Sequence, residues 1–80
     1  MSNKETYDKV FIESFSVEEK KLNEKLVYNS VETWDSIGHM EMIAELEDVF
    51  EIAFEMDDII DFSSYKKGFE ILSKYGIEVN

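Results

Sequence analysis

Asp35-Ser36-Ile37-Gly38-His39-Met40-Glu41-Met42-Ile43-Ala44-Glu45-Leu46-Glu47-Asp48-Val49-Phe50 is the stretch on which the reading of this chain turns. Ile37, Met40, Ile43, Ala44, Leu46, Val49 and Phe50 make a broad apolar face, with Glu41, Glu45, Glu47 and Asp48 elsewhere, which is the pattern of an amphipathic helix. Asp35 stands where an N-cap is expected, because its short carboxylate can accept from the unpaired amides of the first turn. Ser36 follows at the helix N-terminus, where those amides and the macrodipole favour a phosphate. An exposed hydroxyl there points to a phosphate-linked group.

Working outward, Tyr7, Val10, Phe11 and Phe15 recur at spacings of three and four, so a first helix over residues 4–15 presents one aromatic stripe. Residues 16–34 lack sustained periodicity, yet Val17, Leu22, Leu26, Val27 and Val31 are scattered through them; the segment reads as a long loop pinned to the core. A loop of that length inside a small domain is uncommon unless it has a function. After the central helix, Ile52, Ala53 and Phe54 form an apolar connector, and residues 57–62 carry acids in their first turn, as a short third helix would. Ser63 or Ser64 can cap a fourth helix in which Tyr65, Phe69, Leu72 and Tyr75 share a face. Gly76 suits the left-handed position after its last turn, and Gly68 weakens it by roughly 1 kcal/mol relative to alanine. The expected fold is all-α: a four-helix bundle in a single domain over residues 1–80, with three main helices, a short third one and a long loop between the first two.

Eighty residues bury only about 60–65% of the surface the unfolded chain exposes, which leaves a small core and no room for a deep catalytic cleft. No cysteine is present, so disulfides, thiolate nucleophiles and sulfur-ligated metals are excluded and packing alone must hold the chain together. The polar N-terminus lacks a signal-peptide core and no stretch of about 18 apolar residues follows, so a cytoplasmic protein without a membrane span is expected. The net charge is −11 and unevenly placed: residues 27–65 hold eleven acids and no Lys or Arg, while the eight lysines lie at residues 4–25 and 66–74. Such a field repels nucleic acid and anionic lipid and attracts basic protein surfaces or divalent cations.

Asp35-Ser36-Ile37 followed by the acidic amphipathic run from Glu41 to Phe50 resembles the acyl carrier protein family, over residues 4–75. The resemblance implies a four-helix fold of that type and a non-catalytic carrier. Ser36 would be the attachment site of a 4′-phosphopantetheine arm, donated from coenzyme A by a phosphopantetheinyl transferase, on which acyl groups ride as thioesters. It further implies that Asp35 and Ile37 flank the arm, and that Glu41, Glu45, Glu47, Asp48 and Met40 meet partners. Those partners would be acyl-activating, acyltransferase or synthase enzymes with basic docking surfaces, met by a monomeric carrier. The absence of cysteine is compatible with a thioester carrier that obtains its thiol from a prosthetic group.

Fatty-acid-synthesis members usually carry leucine after the serine and then an acid, where this chain has Ile37 and Gly38; Gly38 removes one acidic contact and loosens the first helical turn. With Trp34 and His39 flanking the motif, the chain is more similar to free-standing carriers of specialised biosynthesis. An aminoacyl or peptidyl carrier would use the same motif. An acidic helical adaptor without a prosthetic group is the alternative of a different class.

Four further features carry competing readings. His39, three residues after Ser36, could approach it as a base, but no orienting carboxylate or oxyanion hole is evident, and a partly packed helical histidine is the plainer reading. Trp34 reads as a core anchor for the loop end rather than a stacking platform. Met40, Met42 and Met56 could line an adaptable pocket or simply pack in the core. Asp57, Asp58 and Asp61 lack the spacing, glycine and terminal glutamate of a calcium loop, so no dedicated metal site is expected.

Overall fold

The computed structural model describes residues 2–79, and among them the chain folds into four α-helices with no strand. Helix α1 spans Asn3–Phe15 and starts at a capping box: the Ser2 hydroxyl accepts from the Glu5 amide at 3.1 Å while the Glu5 carboxylate reaches back to the Ser2 amide. It ends where Ser16 turns left-handed. The aromatic stripe is the buried face, with Tyr7, Val10, Phe11 and Phe15 all inside. Phe15 stacks on Trp34 at 4.8 Å between ring centroids, and Phe11 meets Trp34 and Tyr65 edge-on at 5.5 and 5.3 Å. Trp34 is fully buried, which makes it the core anchor of the loop end.

Between α1 and α2 the long loop contains one 3-10 turn, Glu19–Lys21, and is fastened at three places. Leu26 is buried in the core. The Thr33 hydroxyl donates to the Phe15 carbonyl at 2.7 Å, tying the loop's far end to the end of α1. An isolated antiparallel bridge, Val27 with Ser64, exchanges the Tyr28 amide to Ser63 O and the Tyr65 amide to Leu26 O, each at 2.8 Å. These bonds satisfy backbone groups that a structureless loop would leave to water. Val17, Leu22 and Val31 pack against the core as expected, whereas Val27 is exposed, its backbone rather than its side chain holding the loop.

Helix α2 spans Ser36–Phe50 and buries Met42, Ile43 and Leu46. The expected apolar face holds in part: Ile43 and Leu46 are buried and Phe50 packs against the core, whereas Ile37, Met40 and Val49 are exposed and Met42 joins the core. Helix α3 is one and a half turns, Met56–Asp61, starting one residue earlier than the acids alone indicated. Helix α4, Tyr65–Lys74, is capped by Ser64, whose hydroxyl accepts from the Lys67 amide at 2.9 Å. Tyr65 and Leu72 are buried as expected, joined by Ile71. At its end Gly76 is left-handed (φ 82°), with Ile77 N–H to Leu72 O and Gly76 N–H to Ser73 O both at 3.0 Å, the paired closure that glycine permits.

Gly68 sits where α4 meets α1. A methyl group there would collide with the Tyr7 hydroxyl and the Phe62 ring, so its helix cost is accepted in exchange for close approach. The Tyr7 hydroxyl uses the space to donate to Tyr65 O at 2.7 Å, and burial pushes its pKa well above the ordinary phenol value. No helix among the described residues is long and apolar enough to cross a membrane.

Candidate functional site

Asp35 enters α2 in an extended conformation, and its carboxylate accepts from the Gly38 amide at 2.8 Å while its carbonyl accepts from the His39 amide at the same distance. An N-cap of this kind contributes about 1 kcal/mol. Ser36 and Ile37, the first two helical residues, are left with amides that by position have no acceptor inside the helix. Gly38 is buried, and a methyl group on it would overlap the Thr33 carbonyl oxygen. The glycine therefore lets the loop end lie against the first turn; it is a packing requirement as well as a loss of helix propensity.

Ser36 is exposed on the rim of an apolar pocket of about 430 Å³ between α2 and α3. Ser36, His39 and Met40 form one wall; Met56, Ile59 and Ile60 form the other; Tyr28, Phe62 and Ser63 close the end. Met40, Met56 and Ile60 are 52%, 69% and 71% exposed, so three large apolar side chains remain in water around one hydroxyl. A contiguous exposed apolar patch is the kind of surface on which ligands and partners bind. Ile37 is 70% exposed but lies with Asp35, Gly38 and Glu41 in a separate shallow depression on the α1 side of α2. The two apolar residues expected beside the serine thus part company: Met40 faces the pocket and Ile37 does not.

The acids divide likewise. Glu41, Glu45 and Asp48 are exposed. Glu47 is half-buried, its carboxylate accepting from the Phe54 amide at 2.8 Å, where it holds the α2–α3 connector. Asp58 is buried and bound to Lys74 and to the Tyr75 hydroxyl, the latter at 2.6 Å. Those two hydrogen bonds hold its carboxyl below the usual carboxylate range, and the bond to Asp58 raises the pKa of Lys74. Among the described residues no three acids or histidines gather as metal ligands.

His39 is engaged at both ring nitrogens. The Trp34 indole N–H donates to Nδ1 at 3.0 Å, and Nε2 lies 2.9 Å from Ile59 O. A ring so occupied has no nitrogen left to take a proton from Ser36. Nothing in the spacing of Trp34 and His39 announced their bond, since it needs the loop end folded back over the helix start; of the three methionines that could line a pocket, Met40 and Met56 do so and Met42 does not, while the contribution of Ile59, Ile60 and Tyr28 had no signal in the sequence.

Comparison with protein-family models, curated proteins and solved structures returned no match. What the site can do follows from its parts: a solvent-facing hydroxyl at a helix N-terminus, an apolar shelter beside it and exposed acids down the same helix.

Proposed function

We propose that this chain is a carrier domain of the acyl-carrier-protein type, with Ser36 as the attachment residue of a 4′-phosphopantetheine arm. The observation that carries the reading is the position of Ser36: exposed, first in α2, behind an Asp35 cap and on the rim of the apolar pocket. The residues present fit the group. The Ser36 hydroxyl can hold a phosphodiester, the amides of Ser36 and Ile37 and the α2 dipole favour its negative charge, and the pocket wall of Met40, Met56 and Ile60 can shelter apolar atoms. When bound, the arm supplies the thiol on which an acyl group is carried as a thioester, a function this cysteine-free chain cannot provide itself.

The work left to the protein is presentation. Asp35 fixes the helix start so that Ser36 faces outward, and exposed Glu41, Glu45 and Asp48 offer negative charge to Lys and Arg on a transferase or on enzymes that load and unload the arm. The apolar character of the pocket favours acyl over aminoacyl cargo. Intact mass spectrometry tests the reading: with coenzyme A and a broad-specificity phosphopantetheinyl transferase the chain should gain one phosphopantetheinyl group, and Ser36→Ala should gain none while keeping its helicity. An unchanged wild-type mass would leave the acidic-adaptor reading in its place; a group gained by the alanine variant would put the site elsewhere.

A further inference from the structure

We propose that His39 is a positioning residue, a neutral Nε2–H imidazole that straps α3 to the first turns of α2 and so sets the width of the pocket beside Ser36. The assignment of its protons follows from its partners. An indole N–H can only donate, so Nδ1 must carry the lone pair that meets Trp34. A carbonyl can only accept, so Nε2 must carry the hydrogen that meets Ile59 O. One tautomer satisfies both, and an imidazolium would set two N–H groups against each other at Trp34. Two aromatic rings pack against the imidazole at steep angles, Tyr28 with centroids 5.7 Å apart and Phe62 with centroids 6.1 Å apart.

Strapping matters here because α3 has only six residues, too few to be helical alone. Its N-terminal turn is held to α4 through Asp58. Its C-terminal half carries Ile59 and Ile60, which are the pocket wall opposite Ser36 and Met40, and the His39 bond to Ile59 O is the polar tie that joins that half to α2. Trp34, fully buried in the aromatic core, is the fixed end of the strap. His39 thus transmits the position of the core to the wall of the pocket. The effect on an attached arm rests on the carrier reading of Ser36; the strap itself does not.

Three proteins test it without any prosthetic group: wild type, His39→Gln and His39→Leu. A glutamine carboxamide offers an acceptor and a donor at about the separation of the two ring nitrogens, while leucine fills space and offers neither. Nitrogen-15 NMR of wild type at pH 7.5 should show an unprotonated Nδ1 and a protonated Nε2. His39→Leu should raise the exchange rate of the Trp34 indole proton and of the Phe62 amide about tenfold and weaken binding of the neutral apolar dye Nile red, and His39→Gln should return all three toward wild type. A protonated Nδ1 in wild type would overturn the proposal, and that reading survives even if a variant fails to fold. So would His39→Leu with unchanged exchange and dye binding, or His39→Gln no better than leucine. Loading by the transferase is scored separately: failure of all three proteins to take up the group would sink the carrier reading and leave the strap judged by NMR and dye.

Discussion

At Gly38 the entry to α2 has no space for a side chain, because the Thr33 carbonyl oxygen occupies the place a Cβ would take. Gly38→Ala must push the loop end off the helix or pull the Asp35 cap apart, and the expected loss is about 1–3 kcal/mol by urea unfolding. Two glutamates that look alike in the sequence separate in the same way. Glu41 is exposed, whereas Glu47 accepts the Phe54 amide. Glu41→Lys should not destabilise the fold, since it relieves repulsion among the acids, and should slow phosphopantetheinyl loading through a lower association rate at low salt. Glu47→Lys should cost about 1 kcal/mol in unfolding free energy, since the connector amide loses its acceptor. Stopped-flow loading rates at several ionic strengths, read beside urea curves for both variants, separate docking from stability.

Among the elements, α3 depends most on its neighbours. The Tyr75 hydroxyl accepts the Glu55 amide at 2.9 Å and donates to Asp58, and Lys74 completes the cluster, so both ends of the first turn of α3 are fastened to the end of α4. The folded carboxyl of Asp58 titrates below the unfolded one because Lys74 and Tyr75 hold its charged form. Its contribution is therefore complete above the ordinary carboxylate pKa and is lost as pH falls through the lowered folded value. Asp58→Asn should lower Tm near neutral pH and flatten the acid side of the Tm–pH curve, the difference from wild type shrinking as pH drops. Thermal scans from pH 2 to 7 check this; parallel curves would mean the cluster is not what links α3 to acid stability. A second network works on the alkaline side. Burial and a hydrogen bond to Asp8 push the Tyr65 phenol up to about 12, so that hydroxyl keeps its proton well past the ordinary value.

Over the whole molecule the charge is dominated by the acids of residues 27–65, of which Asp58 is the member of the described ion pairs that binds a lysine. The remaining lysine pairs lie within α1, the 3-10 turn and α4, away from that span. Eleven acids sharing one basic partner repel one another in the compact state. At low ionic strength Tm should rise with added sodium chloride by screening, and with millimolar magnesium by binding to the folded form. A flat dependence on both salts would show the carboxylates to be too well solvated to matter.

Length, charge and periodicity by themselves determined an all-helical chain with an aromatic first helix, an Asp35 cap, an exposed Ser36, a last helix capped by Ser63 or Ser64 and a glycine closure at Gly76; the structure chose Ser64. All of these depend on residues within about four positions of one another, where helix geometry is already decided. Tertiary structure alone decided which side of α2 became core. Met42 is buried and Met40 exposed because α1 and the Trp34 loop end cover one flank, while the short α3 leaves the other open beside Ser36. It also decided that His39 is a bonded strap, that Glu47 is a connector clamp and that Gly38 and Gly68 are contact points. In each case the partner lies in a different element: Ile59 for His39, Phe54 for Glu47, Thr33 for Gly38 and Tyr7 for Gly68. Hydrogen bonds and steric contacts act over a few ångströms of space whatever the sequence separation, so such partners become legible only once the chain has brought them together.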